Sequence, residues 1–298
     1  MRFYFPDTPP LPLPAGHRFP AVKYRLLRDL VEREGIIAPS ELSPSPPASR
    51  TDLERAHASD YVGAVLDGTL SADIQRRIGL PWSPVLARRS LATVGGALAA
   101  ARDALRDGLS GQLAGGTHHA HRDFGSGYCV FNDLAVTALT LIASGEARRI
   151  AILDLDVHQG DGNAAILAGQ PDVQVVSLHG AKNFPFRKVP SSLDVDLPDG
   201  TEDRAYLHAL ADVLPAIESF RPDLLLYLSG ADALAADKLG RLSLTLEGLA
   251  ERDRLVFHLG HRRGIPVSIA IGGGYAEPIT DSVAGYAGTF RTAREIIG

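Results

Sequence analysis

The chain has 298 residues, 45% hydrophobic and 22% charged, with 30 basic and 35 acidic side chains giving a net charge of -5. That composition is ordinary for a globular protein, and a mildly acidic balance without a basic stripe argues against a nucleic-acid footprint. The single cysteine, Cys129, excludes an internal disulfide and suits a reducing compartment. No apolar run approaches the ~20 residues that span a bilayer, so a soluble cytoplasmic protein with no membrane partner is expected.

In chain order, Met1-Arg2-Phe3-Tyr4-Phe5-Pro6 leads into prolines instead of a long apolar core, which argues against a signal peptide. Two proline-rich stretches, 6–20 and 39–47, are expected to resist regular structure, because proline fixes φ and removes a donor. Between them, 22–34 reads as a helix with Tyr24, Leu27, Leu30 and Val31 on one side. From about Ser83 onward helix and strand alternate. Helices are predicted over 87–105, 131–144, 203–220 and 246–259, and short apolar strands over 150–153, 173–178, 224–228 and 267–271. Such strands, separated by helices, predict a parallel sheet covered on both faces. Neither a repeat nor a linker after residue 50 is visible, so residues 1–298 are read as one domain with a proline-rich N-terminal segment, 1–50.

The most informative stretch is Ile150-Ala151-Ile152-Leu153-Asp154-Leu155-Asp156-Val157-His158, followed by Gln159-Gly160-Asp161-Gly162. Side chains on a strand repeat every two residues, so Asp154, Asp156 and His158 are expected to leave one face together. Two carboxylates and an imidazole crowded in this way repel or desolvate one another unless a cation sits between them, and a divalent metal meets that need. Other polar residues also follow apolar strands: Asp232 in Ser229-Gly230-Ala231-Asp232, and Tyr275 closing Ile271-Gly272-Gly273-Gly274-Tyr275. Ligands of open parallel sheets bind beyond the carboxyl ends of strands, so these positions can converge. His118 and His119 lie beside Gly115 and Gly116, which let the backbone approach a crowded site. Alone, Asp232 reads as a turn former or helix cap, the histidine pair as filler and the triple glycine as a weak phosphate loop. Their joint placement at strand ends is what favours one site.

Thr117-His118-His119-Ala120 with Gly127-Tyr128-Cys129, the Asp154 to Gly162 run, Gly230-Ala231-Asp232 and Gly272-Gly273-Gly274-Tyr275 together resemble the zinc-dependent histone deacetylase family of the arginase/deacetylase superfamily. The four blocks keep the family's order and spacing across residues 115–275; the match weakens before residue 83. Gln159 and Asp237-Lys238-Leu239-Gly240-Arg241-Leu242-Ser243 resemble the class IV branch and the bacterial histone deacetylase-like amidohydrolases. The resemblance implies an α/β fold: a three-layer αβα domain around a central, mainly parallel sheet of about eight strands.

It further implies that Asp156, His158 and Asp232 ligate Zn2+, with Fe2+ as an alternative for so oxygen-rich a set. Three protein ligands leave a position open for water, whose pKa a metal brings from about 15.7 toward roughly 7. By the motif, Asp154 would pair with His118 and Asp161 with His119. His119 would act as general base and then acid, His118 as electrostatic tuner, and Tyr275 as donor to the oxyanion. Gly127, Tyr128, Phe184 and Gly273 would bind substrate, with Phe186 competing for the place of Phe184. Asp154 and Ser177, with backbone carbonyls of Asp156, His158 and Leu178, resemble a structural K+ or Na+ site. The implied activity removes acetyl or longer acyl groups from lysine side chains of a protein or peptide; the alternative substrate is an acetylpolyamine or other small acyl amide. The family's rim aspartate has no counterpart, since Leu80-Pro81-Trp82-Ser83-Pro84 occupies its region, and His17-Arg18-Phe19-Pro20 is expected to help form the entrance.

Three rival readings differ in testable features. A dinuclear arginase-like ureohydrolase needs further ligands where this chain has Gly160 and Gly230. A non-catalytic binding module would have lost a ligand, a histidine or Tyr275, and none is lost. A dinucleotide-binding protein would carry Gly-x-Gly-x-x-Gly before a helix and an acidic residue, and that pattern is absent.

Overall fold

The computed structural model describes residues 1–298. Eight strands, β1 (Phe3–Phe5), β2 (Leu42–Pro44), β3 (Leu109–Gln112), β4 (Ile150–Asp154), β5 (Val173–Gly180), β6 (Leu193–Leu197), β7 (Leu224–Ser229) and β8 (Val267–Ile271), form one sheet in the order β2-β1-β3-β8-β7-β4-β5-β6. Every pairing is parallel. Ten helices join them: α1 (Val22–Arg33), α2 (Arg50–Ala56), α3 (Ser59–Asp67), α4 (Ala72–Ile78), α5 (Pro84–Asp107), α6 (Asp133–Ala143), α7 (Asp161–Leu167), α8 (Asp203–Phe220), α9 (Leu246–Arg263) and α10 (Ile279–Ile297).

The strands sort their side chains into two cores. Ala151 and Leu153 of β4, with Leu225 and Tyr227 of β7, pack among α1, α8, α9 and α10 through residues such as Leu27, Leu210, Phe257 and Phe290. Ile150 and Ile152, with Leu224, Leu226 and Leu228, pack among α2, α3, α5 and α6 through residues such as Leu53, Val62, Leu98 and Leu134. Because both faces are covered, β4, β7 and β8 are buried at every residue and read as unbroken apolar runs. The result is the three-layer αβα sandwich expected from the resemblance.

The predicted strands all exist, and the predicted helices exist with ends shifted by a few residues. Two expectations need correction. The stretch 39–47 does hold regular structure: a single 3₁₀ turn, Pro39–Glu41, and then β2. β2 is the edge of the sheet, where Pro44 costs no ladder bond. The second correction concerns the central motif. β4 ends at Asp154, so Asp154, Asp156 and His158 do not share one strand face. The carboxylates themselves turn the chain: Asp154 Oδ1 accepts from Asp156 N at 3.2 Å and Asp156 Oδ1 from His158 N at 2.9 Å. Aspartate bonding the amide two residues on is an Asx turn, which competes with the strand ladder.

One buried histidine ties the helical layer to the loop below the site. His57, 1% exposed, accepts from Asn132 N at 2.9 Å through Nε2, and its Nδ1 lies 2.9 Å from the carbonyl of His121. Asn132 in turn caps α6 through Ala135 N. Burial holds His57 down to about 4 from an ordinary 6.5. The unfolded chain therefore takes up this proton between pH 6.5 and 4 while the folded chain does not, so stability falls as pH drops through that window. At pH 5 the loss from this group is about 2 kcal/mol, at about 1.4 kcal/mol per pH unit. Urea unfolding at pH 7 and pH 5 should show His57→Phe losing less stability on acidification than the parent, by that amount.

Candidate active site

The site forms where three strands end together. β4 delivers Asp156 and His158, β7 runs through Gly230 to Asp232, and β8 runs into Gly272, Gly273, Gly274 and Tyr275. β7 lies between β4 and β8, so these ends are neighbours. His118 and His119 come from the loop after β3, where the Asp133 carboxylate at the start of α6 accepts from Gly116 N and Thr117 N at 2.9 and 2.8 Å.

Asp156, His158 and Asp232 are buried, and their ligating atoms all lie within 4.8 Å of one another. His158 Nδ1 is 3.0 Å from Asp156 Oδ1 and 3.1 Å from Asp232 Oδ2. The other carboxylate oxygens are tied to backbone: Gly273 N donates to Asp156 Oδ2 at 2.5 Å, and Val157 N to Asp232 Oδ1 at 2.9 Å. One oxygen of each aspartate and one ring nitrogen thus face a common point. Metal–ligand bonds of about 2.0–2.1 Å at tetrahedral angles separate ligand atoms by about 3.3 Å, close to what is found, so these residues fit a divalent ion. Electrostatics agree. Burial works against the charged form of His158, yet the two carboxylates hold it up at about 10. Burial and the neighbouring Asp156 push Asp232 up to about 7. The point demands positive charge. The positions where a second metal would need ligands are Gly160 and Gly230, which offer no side chain.

The two histidines beside this point differ in charge. His118 Nδ1 lies 2.7 Å from Asp154 Oδ2, and its Nε2 is 3.8 Å from Asp156. Burial disfavours its cation, but Asp154 and Asp156 outweigh burial and raise it to about 9. His119 Nδ1 lies 2.6 Å from Asp161 Oδ1. Burial and the adjacent His118 lower it to about 4, despite Asp161. Asp161 is shared with His121, whose Nε2 is 3.0 Å from Oδ2. At neutral pH one ring is therefore cationic and the other is a neutral base.

A pocket of about 610 Å³ opens above the ligands. Its walls include Tyr128, Phe184 and Tyr275, together with Phe19, Lys23 and Tyr24 from the N-terminal segment. Phe184 packs edge-on against His119 at 4.9 Å, whereas Phe186 is 85% exposed, which settles their order: Phe184 is the inner ring, Phe186 the outer. Tyr128 stands in the left-handed region at φ 66, unusual outside glycine, and packs 5.2 Å from Phe19 and 6.1 Å from Tyr275. Gly127 sits beneath it, and a Cβ there would meet His119 Cδ2 at 2.7 Å. His17 packs on Tyr128 at 6.1 Å, with Nε2 3.0 Å from the carbonyl of Gly79. Ser177 faces Asp154 in the β4–β5 register and bonds His179 at 2.9 Å; Leu178 follows it within β5.

Several residues that shape the site lie outside the set read from the sequence as ligands, acid–base groups or pocket walls. Lys23 is 1% exposed, and its Nζ donates to the carbonyls of Gly272 and Gly274 at 3.3 and 3.4 Å and to Tyr286 Oη at 3.0 Å. Asp237 accepts from Tyr275 N at 2.6 Å and from Leu239 N and Gly240 N at 2.8 Å, joining the Tyr275 loop to the segment after β7. Arg252 of α9, fully buried, donates to the carbonyl of Gly230 at 2.6 Å and to Asp253 at 2.9 Å. Breaking such a buried pair typically costs about 3–5 kcal/mol. Lys23 carries one legible signal, a basic residue on the apolar face that Leu27 and Val31 form, whereas Arg252 stands beside the equally buried Asp253.

The histone deacetylase domain matches residues 17–289 of this chain. An uncharacterized protein of Picosynechococcus sp. is 45% identical over 98% of each chain. A histone deacetylase-like amidohydrolase of Pseudomonas aeruginosa is 33% identical, over 89% of this chain and 74% of its own length. A crystal structure of an HDAC homologue from Aquifex aeolicus shares the fold, with a TM-score of 0.83 at 22% identity, covering 99% of this chain and 88% of that one. The fold is thus that of the arginase/deacetylase type of α/β protein. The chain belongs to the histone deacetylase family.

Gly273 gives a sharp test of the ligand geometry. A Cβ at this position would stand 1.9 Å from Asp232 Oδ2 and 3.0 Å from Asp156 Oδ2, displacing both carboxylates. Gly273→Ala is expected to weaken zinc binding at least about tenfold by competition with a chromophoric chelator, about 1.4 kcal/mol. Gly288→Ala, where a Cβ meets nothing within 4 Å, should leave the affinity unchanged.

Proposed function

We propose that this chain is a metal-dependent amidohydrolase that removes acetyl or longer acyl groups from lysine side chains of a peptide or protein. One observation carries the reading: the ligating atoms of Asp156, His158 and Asp232 gather within 4.8 Å, and Asp156 and His158 line a pocket that also presents His118 and His119. A divalent ion held there, zinc or Fe2+ in its place, would supply Lewis acidity toward water and the amide oxygen.

The chain's own groups supply the proton transfers. His119, neutral and oriented through Nδ1 by Asp161, has Nε2 free to take the proton of the attacking water. The same nitrogen then protonates the departing amine as the C–N bond breaks. His118, held cationic by Asp154 and Asp156, keeps positive charge beside the growing negative charge. Burial keeps the Tyr275 phenol protonated well above its ordinary range, so it can donate to the amide oxygen as that oxygen gains charge. Tyr128 and Phe184 would flank the methylene stem of the acyl-lysine, with Gly127 and Gly273 beneath them. The Asp154–Ser177 pairing supports a structural K+ or Na+ beneath the divalent ion.

The partners so proposed are acylated protein, peptide or amine, without nucleic acid or membrane, in the cytoplasm. The net charge of -5 supports the absence of a nucleic-acid partner, and no helix is long and apolar enough to cross a membrane.

The purified protein should release acetate from acetyl-lysine peptides, lose that activity on chelation and regain it with zinc. Turnover that persists after complete removal of metal, or in Asp232→Asn, would overturn the mechanism. Tyr275→Phe should lower kcat by ~10²–10³-fold with little change in Tm, since one oxyanion donor is lost; an unaltered kcat would remove its assigned part.

A further inference from the structure

The mouth of the pocket is basic, although the chain as a whole is acidic. Four cationic side chains line it above the floor: Arg76, Arg77, Lys182 and Arg241. They come from three separate segments, α4, the turn after β5 and the loop after β7, and all four residues are exposed. The only carboxylate lining the pocket is Asp156, at the metal floor.

Neighbouring acids do not balance the four. Arg76 pairs with Asp73. Lys182 and Arg241 share one carboxylate, Asp199, at 3.7 and 3.2 Å. Arg77 lies over the Phe124 ring at 4.9 Å and has no carboxylate within salt-bridge distance. The segment 80–84 adds no acid: Trp82 packs its indole against Gly68 and donates to the carbonyl of Val65 at 2.8 Å. The exposed Phe186 stands among these cations as an apolar platform.

We propose that this rim selects acyl-lysine within an acidic segment of polypeptide, carboxylates flanking the acylated residue being met by Arg76, Arg77, Lys182 and Arg241. The proposal rests on the deacylase reading above and names its substrate class. Charges drawn from three segments around one opening suit an extended chain passing across it, and they repel a polyamine or a basic tail. Exposed ion pairs are individually weak, each changing affinity by about 1.5- to 5-fold, so two or three together give about tenfold. They are also screened by salt, the Debye length falling from about 10 Å at 0.1 M to about 3 Å at 1 M.

The test uses the zinc-loaded protein and fluorescein-labelled acetyl-lysine peptides of one length, with Asp/Glu, Ser/Gly or Lys/Arg flanks, plus N-acetylspermidine as competitor. Anisotropy at low salt should show the acidic peptide binding about tenfold tighter than the basic one, and the gap should shrink in 0.5 M NaCl. Steady-state turnover should show the same order in kcat/KM, carried mainly by KM. Arg76→Gln combined with Arg241→Gln should reduce the preference, and Arg76→Glu combined with Arg241→Glu should reduce it further, with circular dichroism confirming that each variant is folded. Equal binding of the three peptides, or tighter binding of the basic peptide or of N-acetylspermidine, overturns the rim proposal. Acid-selective binding without turnover of any peptide overturns the deacylase reading alone, because anisotropy does not depend on catalysis.

Discussion

Two aspartate carboxylates buried against one histidine nitrogen are the constraint around which this molecule is arranged. Asp232, after β7, lies 74 residues from His158 and 76 from Asp156, which follow β4, yet both carboxylates reach within 3.1 Å of His158 Nδ1. Like charges this close in a desolvated site are relieved by a cation between them or by a proton on one of them, and burial with Asp156 accordingly pushes Asp232 up to about 7. The fold fixes the approach from three directions: Val157 N and Gly273 N each hold a carboxylate oxygen, and Arg252 holds the carbonyl of Gly230 just before Asp232. A parallel sheet suits this task because adjacent strands end on the same side, so short loops from β4, β7 and β8 converge with no long excursion.

The same negative centre separates the two histidines of the site. His118 leans on Asp154 and Asp156 and is pushed up; His119 feels His118 and burial first and is pushed down, with Asp161 opposing. Two identical residues, adjacent in sequence, thereby take opposite protonation states at neutral pH. Asp161, which opens α7, stays ionised far below the ordinary carboxylate range; burial opposes this, but His119 and His121 outweigh it. It is available to orient His119 without competing for its proton.

The central strands were legible because burial on both faces leaves an unmistakable apolar run: β4, β5, β7 and β8 stand where that signal predicts them. The outer strands carry a weaker one. β1 and β2 are three residues each, β3 reads Leu-Ser-Gly-Gln, and β6 alternates acidic with apolar residues as Leu-Asp-Val-Asp-Leu. The helix α10 has two internal glycines and three threonines, which dilute its periodicity. The motif residues were legible from type and spacing, while their geometry was not. Strand alternation placed Asp154, Asp156 and His158 together for the wrong reason, since Asx turns, not a continued strand, bring Asp156 and His158 to the site. Lys23, Asp237 and Arg252 act through backbone carbonyls and amides far off in sequence, and no local pattern encodes such partners.

Lys23 shows how the part of the chain least like the family motifs is bound to the chemistry. α1 packs against α10, and its one buried lysine reaches the carbonyls on both sides of Gly273. Burying that side chain without a carboxylate partner is unfavourable unless its donors are met. Two carbonyls and the Tyr286 hydroxyl meet them, and the rings of Tyr24, Tyr275 and Tyr286 surround Nζ at 5.1 to 5.4 Å. Gly273 N is the donor on Asp156, and Tyr275 is two residues further on. A single amine from the N-terminal helix therefore fixes, through one loop, both the hydrogen bond on Asp156 and the Tyr275 ring that lines the pocket. The proline-rich segment around it is consequently part of the site's frame: shifting α1 would move the Gly272–Gly274 loop and with it the Gly273 hydrogen bond on Asp156.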